Sequence, residues 1–154
     1  AGSYSLIVLD TINISGQLNG YGATGGVAGV GVITVGSKGV WTQVSGGDVG
    51  LLGGVVNDGF IRFQGGGSIC GGGNDISITS MGSPTTVPWS GSGTFILNDV
   101  SVQDQTGSIT AYSSTNVSGN NWTFVSDCPA YSNRSVSNVT GGSSFTGGAT
   151  FRSN

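Results

Sequence analysis

The sequence of 154 residues contains no histidine and no glutamate, and Lys38 is its single lysine. Nucleophilic catalysis by a Ser–His or Cys–His pair is excluded, because no histidine is present to act as the base. Charged residues make up 7% of the chain, against about 25% in an ordinary soluble domain. The net charge of −3 offers no basic surface, so we expect no binding of nucleic acid.

Long apolar segments are also missing. The longest apolar run is Leu6-Ile7-Val8-Leu9, which has the length of a strand, whereas a membrane helix needs about 18 apolar residues. We therefore expect no insertion into a membrane. The chain shows no signal peptide, which fits a mature secreted chain that begins at Ala1 after cleavage.

Helical periodicity is absent, since 31 glycines interrupt nearly every window of the chain. Short β-branched runs bounded by Gly, Asn, Asp, Ser or Pro predict strands instead. The predicted strands are Tyr4–Ile14, Gly31–Val35, Gly39–Val44, Val55–Gln64, Asp75–Ser80, Thr94–Gln103, Ser108–Ser113 and Asn121–Val125. The length suits one core, so we predict a single all-β domain over residues 1–154.

A loose phrase recurs along the chain, in which an apolar strand, an Asn or Asp near Gly, and a second strand follow one another. It occurs at Ile12–Leu18, Val55–Ile61 and Phe95–Ser101, and Gly91–Val100 and Gly107–Tyr112 fit the same pattern. Successive phrases lie roughly 20 residues apart, though unevenly, and a unit of this size must stack on a neighbour to bury its apolar face.

These segments resemble the coils of secreted bacterial surface proteins of the filamentous-haemagglutinin and autotransporter-passenger type, from about Leu6 to Phe124. The resemblance implies a right-handed parallel β-helix. Residues 127–154, rich in Ser, Asn and Gly, are then a cap or an extended arm. The uneven spacing leaves open a β-sandwich of seven or eight strands with an exchanged terminal strand.

Cys70 and Cys128 are the only cysteines, and in a Ser/Thr/Asn-rich chain they predict a disulfide. The bond would stabilise the fold by about 4 kcal/mol in the chain-entropy model. Two separate buried thiols are the alternative. Two thiolates without histidine leave tetrahedral zinc short of ligands, so we predict no metal and no cofactor.

Asn-x-Ser/Thr triplets make five asparagines candidate acceptors for N-glycosylation. They are Asn13, Asn116, Asn121, Asn133 and Asn138.

The acidic residues do not predict an active site. A glycosidase needs two carboxylates that face one sugar, and Asp99 and Asp104 would lie on opposite faces of a continuous strand. Asp58 and Asp99 would align only if coils stack, and each sits beside Asn in a turn-like context. We predict turn-forming aspartates and no enzyme.

Aromatic side chains are the remaining candidates for binding. Trp41, Trp89, Trp122, Tyr21, Tyr112 and Tyr131 would stack on sugar rings if they were exposed on one flat face. Packing in the core is the interpretation that the alternation around Trp122 favours.

Few charges, a surface of Ser, Thr, Asn and Gly, and strand edges without protective lysine together predict a secreted structural protein. We expect it to self-assemble at the cell surface or outside the cell, into a homopolymeric filament or a surface layer. Contact would come from stacked coil ends or from an inserted N-terminal strand within residues 1–10, formed by Tyr4, Leu6, Ile7, Val8 and Leu9. The alternatives are a monomeric adhesin or glycan-binding module that attaches to glycans or cell surfaces and, less favoured, a polysaccharide-active enzyme.

Overall fold

The structure, a computed structural model, describes residues 4–8, 12–21, 26–44, 46–66, 73 and 75–127, and for residues 4–8 and 21 it describes the main chain. These residues contain no helix and form seventeen short strands. Nothing in this part of the chain is a helix long and apolar enough to cross a membrane.

The chain visits three sheets in turn. Sheet A consists of β1 (Tyr4–Val8), β4 (Gly26–Gly29), β7 (Val49–Leu51), β10 (Ile76–Ser80), β13 (Val100–Gln103) and β16 (Thr115–Ser118). Sheet B consists of β2 (Ile12–Ile14), β5 (Ile33–Val35), β8 (Val55–Asn57), β11 (Val87–Ser90) and β14 (Gln105–Thr106). Sheet C consists of β3 (Gln17–Tyr21), β6 (Val40–Val44), β9 (Phe60–Gln64), β12 (Thr94–Asn98), β15 (Thr110–Tyr112) and β17 (Thr123–Val125).

Each strand pairs in parallel with the strand of the same sheet in the next turn of the chain, as in β2 with β5 and β5 with β8. This arrangement is a parallel β-helix, so that prediction is confirmed. The β-sandwich alternative is wrong, because its neighbouring strands are antiparallel. The right-handed sense of the winding stays a prediction, which the general preference of parallel crossovers supports.

The turns of the helix become shorter toward the C-terminal end. Ile12 lies opposite Ile33, so the first turn takes 21 residues in sheet B. Near the other end, Leu97 lies opposite Ala111 and Ala111 opposite Phe124, at spacings of 14 and 13 residues. The helix is therefore broad at its N-terminal end and tapers toward β17.

Three long runs that the sequence predicts as single strands are bent in the structure. Asp99 separates β12 from β13 and has φ 53°. Asp104 has φ 57° and separates β13 from β14. Asp adopts this left-handed conformation more readily than most residues, and one such residue turns the chain from one sheet into the next. The runs Tyr4–Ile14 and Val55–Gln64 are likewise split between two sheets.

Aromatic rings form a stack along the inside of the helix. Trp41 packs edge-on against Phe63 with ring centroids 4.9 Å apart, and Phe63 packs edge-on against Trp89 at 6.1 Å. Trp122 meets Trp89 at 5.1 Å. Perpendicular rings at these distances are a favoured aromatic geometry. The stack runs through several turns and joins the aliphatic core to the narrow end.

Two asparagines are fully buried in very different surroundings. The Asn57 amide donates to the Thr94 carbonyl at 2.9 Å, and its Oδ1 accepts from the Gly59 N–H at 3.0 Å. Neither amide atom of Asn98 has a hydrogen-bond partner in the described part of the chain. Asn57 therefore ties β8 to β12, whereas Asn98 carries the cost of burying an unpaired amide.

Gly91 lies at a corner that only glycine fits. Its φ is +110°, and a Cβ there would collide with the main chain of Asn57 in the turn below. Gly36 shows no such constraint, because its added Cβ would come no closer than 3.7 Å to the Ile14 carbonyl.

Replacement of Gly91 by alanine should lower the free energy of unfolding by about 2 kcal/mol or more, through left-handed strain and the collision with Asn57. The control Gly36→Ala should change it by less than about 0.5 kcal/mol. Urea titrations followed by tryptophan fluorescence measure both. Equal losses in the two variants would contradict the described corner.

The two buried asparagines should respond in opposite ways to leucine. Asn57→Leu should lower the free energy of unfolding by about 2–4 kcal/mol, because it leaves the Thr94 carbonyl and the Gly59 N–H unpaired. Asn98→Leu should leave it unchanged or raise it by up to about 1 kcal/mol, because an unpaired buried amide is removed. A large loss in Asn98→Leu would show that this amide has a partner.

Candidate assembly surface

The N-terminal end of the helix is a rim of strand edges. β1, β2 and β3 are the terminal strands of sheets A, B and C, so the first turn of the chain ends all three sheets. In the described part of the chain no strand pairs with their outer edges. Strand edges of this kind present main-chain donors and acceptors to any further strand.

The hydrogen bonds of β2 show which groups point outward. The Ile12 N–H donates to the Val32 carbonyl at 3.2 Å, and the Ile14 carbonyl accepts from the Gly36 N–H at 2.9 Å. Because main-chain groups alternate in direction along a parallel strand, the N–H and C=O of Asn13 point away from β5. They have no partner among the described residues.

Strand β3 follows the same rule. The Val40 N–H donates to the Gly16 carbonyl at 2.8 Å, so Gly16 faces β6. Gln17 and Asn19 then direct their main-chain groups toward the open rim. The rims of sheets B and C are thus equivalent in character.

A depression of about 270 Å³ lies against this rim. Its lining consists of residues 12–18, from β2, β3 and the turn between them. Ile14 is 7% exposed, while Ile12 and Leu18 are half-buried and pack on the edge of the core. The first turn therefore leaves apolar side chains incompletely covered at the broad end.

The rim is also uncharged. Residues 11–37, which include β2, β3, β4 and β5, contain no Asp, Glu, Lys or Arg. Natural proteins commonly protect strand edges with charged residues, particularly lysine. The N-terminal rim has no such protection within this range.

The C-terminal end differs, because its own chain closes the edge of sheet B. The Asn120 Oδ1 accepts from the Gln105 N–H at 2.8 Å, and the Gln105 carbonyl accepts from the Asn121 N–H at 3.2 Å. The Asn121 Oδ1 accepts from the Gly107 N–H at 2.9 Å. The Asn120 amide also donates to the Val102 carbonyl in sheet A at 2.7 Å.

Strand β16 ends sheet A with an irregular edge. Val102 lies opposite Asn116 and Gln103 opposite Ser118, so Val117 is an extra residue of a bulge. Val117 is 55% exposed. Bulges are one of the devices that prevent pairing at a strand edge.

The predicted assembly strand lies in β1. Tyr4, Leu6 and Val8 pair in parallel with β4 of the same chain, and Ile7 lies between them. Leu9 falls outside the described residues, as do Cys70 and Cys128, so the predicted disulfide stays a prediction. Of the predicted cap or arm at 127–154, the structure describes Asp127 alone.

The candidate glycosylation sites divide between the two ends. Asn13 is exposed on β2 at the N-terminal rim. Asn116 and Asn121 are exposed at the C-terminal end. Asn133 and Asn138 lie outside the described residues. Glycosylation itself stays a prediction.

The aspartates occupy corners of the helix. Asp58 lies between sheets B and C, where its Oδ1 accepts from the Ser92 N–H at 3.1 Å, whereas Asp99 lies between sheets C and A. Stacking of the turns therefore does not bring Asp58 and Asp99 together. The described residues contain no group of three or more His, Cys, Asp or Glu side chains that could hold a metal ion.

The three tryptophans belong to the core, as the favoured interpretation holds. Trp41, Trp89 and Trp122 are at most 5% exposed, so they cannot form a surface platform for sugars. Tyr112 is half-buried, Tyr131 lies outside the described residues, and the side chain of Tyr21 is not among those described.

No protein-family model, curated protein or solved structure matches this chain. The parallel β-helix is therefore known from the structure itself.

Removal of the Asn120 side chain should weaken the closed end. Asn120→Ala leaves the Gln105 N–H and the Val102 carbonyl unpaired and should lower the free energy of unfolding by about 1–3 kcal/mol. The control Asn116→Ala removes only an exposed contact with Asn120 and should cost less than about 0.5 kcal/mol. Equal unfolding midpoints in urea for both variants would contradict this role of Asn120.

Proposed function

We propose that the protein is a structural module of the extracellular space that assembles with copies of itself through strand edges, into a filament or a surface layer. The observation that carries the proposal is the N-terminal rim, where Asn13 presents an unpaired N–H and C=O within an uncharged stretch. An open edge of this kind pairs readily with another strand.

The composition supports the same function. With 7% charged residues, the surface has little charge to keep identical molecules apart. Small polar residues that occupy outward positions, such as Ser77 and Ser101 in neighbouring strands of sheet A, allow close approach. The chain thereby joins an open edge to a weakly repulsive surface.

A second feature supports assembly in more than one direction. Leu52 and Met81 are 43% and 48% exposed. The Leu52 N–H donates to the Gly29 carbonyl and the Met81 N–H to the Leu51 carbonyl, both at 2.8 Å, so the two residues occupy equivalent positions in successive turns. Exposed apolar side chains aligned on one corner favour lateral contacts, which a layer or a thick filament needs.

The proposed place of the protein is among the β-helical surface proteins of secreted bacterial type, and the parallel architecture supports this. Edge pairing is favoured over strand donation, because β1 already forms the first strand of sheet A in its own chain. Donation would require β1 to leave β4. A chain without residues 1–10 that still assembles would remove the donation mechanism.

Proline at the rim should block assembly without unfolding the protein. Asn13→Pro removes an outward N–H that makes no bond within the described chain, and proline is tolerated on edge strands. The control Asn13→Ala keeps this N–H. We expect sedimentation velocity to show larger species at rising concentration for the unchanged protein and Asn13→Ala, and monomer for Asn13→Pro.

Negative-stain electron microscopy of the same samples should show filaments or layers for the first two proteins only. A monomer of the unchanged protein at every concentration would contradict the proposed function. It would favour the alternative, a monomeric adhesin or glycan-binding module.

A further inference from the structure

The two ends of the helix are unlike, which restricts how copies can pair. The broad N-terminal end has an open rim, whereas Asn120 and Asn121 close the edge of sheet B at the other end. The first turn takes 21 residues in sheet B, and the last pairings in sheet C span 13. A head-to-tail stack would therefore place a narrow, partly closed turn on a wide open one.

We propose that the N-terminal rim pairs face to face with the same rim of a second copy, across a twofold axis that passes close to Asn13. This inference rests on the proposed function and specifies its contact. The surface that matches the first turn in width is the first turn of another copy, since every later end of the described helix is narrower.

A twofold axis perpendicular to the helix reverses the direction of every strand on the rim. β2 then pairs antiparallel with β2 of the second copy, and β1 pairs antiparallel with β3 of the second copy. The lengths agree, because β1 and β3 each have five residues. They flank β2 at similar distance, with connections at residues 9–11 and 15–16. The first turn is thus nearly symmetric about its centre.

The main-chain groups suit this pairing. Asn13 directs its N–H and C=O outward, so it would exchange both hydrogen bonds with Asn13 of the second copy. In the same register Ile12 lies opposite Ile14 of the second copy. These side chains flank the depression at the rim, which the second copy would cover.

The size and charge of the contact are sufficient for a specific pair. β1, β2 and β3 supply thirteen residues from each copy, and an antiparallel ladder of that length forms about a dozen hydrogen bonds. A typical protein interface has roughly ten. A contact between identical surfaces brings like charges together, so the absence of charge over residues 11–37 permits it.

Cysteine cross-linking tests the register. In a hydrogen-bonded antiparallel pair the two Cα atoms lie roughly 5.5 Å apart, a distance that a disulfide spans. Asn13→Cys should therefore give a covalent two-chain product under mild oxidation, seen on non-reducing gels and by intact mass. The control Ser90→Cys lies in the same outward column of sheet B, two strands beyond β5, and should remain monomeric on the gel.

The unchanged protein, oxidised in parallel, gives the background from Cys70 and Cys128. A mixture of Asn13→Cys with Thr106→Cys, which lies on β14 at the C-terminal end, tests the other arrangement. Cross-linking only in that mixture would show head-to-tail stacking and overturn the face-to-face pair.

The remaining outcomes separate this inference from the proposed function. If the unchanged protein associates in sedimentation experiments but Asn13→Cys gives no covalent pair, the face-to-face contact is wrong and self-assembly stands. If the unchanged protein is monomeric at every concentration, both are wrong. Covalent pairing by Asn13→Cys above the backgrounds of Ser90→Cys and of the unchanged protein supports both.

Discussion

The parallel main-chain ladder between successive turns is the interaction on which this protein depends. Few charges and many glycines leave it little else, and each turn buries its apolar residues only because another turn lies beside it. The ladder satisfies the polar main chain inside the helix. It also guarantees a problem at each end, where the last strand has a donor and acceptor row with nothing to bind. The protein solves this problem at one end and leaves it unsolved at the other.

The closure of the C-terminal end relies on asparagine side chains that imitate a strand. Asn120 and Asn121 offer amide groups with the same donors and acceptors as the main chain, and they satisfy Gln105 on both its N–H and its carbonyl. No equivalent side chain covers Asn13 in the described part of the chain. Association through one end follows from this difference in hydrogen bonding, since both ends have similar composition and neither is strongly charged.

Sequence patterns located the strands with clear β-branched character and missed the others. Ile76–Ser80 is one of the clear cases and forms β10 as expected. β4 and β7, built around Gly26–Gly29 and Val49–Leu51, escaped because glycine has no strand preference and gives no alternation. The bends at Asp99 and Asp104 were also hidden, since a single left-handed residue leaves the apolar pattern on either side intact. The outward direction of Asn13 depends on register, which only pairing between distant segments defines.

The closed end has a consequence for how such a protein can change in length. An added turn at the C-terminal side would have to displace Asn120 and Asn121 and fit beyond Trp122, where the aromatic stack ends. An added turn before β1 would meet a wide edge that already has the right width and hydrogen bonds. Duplication of coils is therefore tolerated on one flank only, and the helix has a direction of growth written into its architecture.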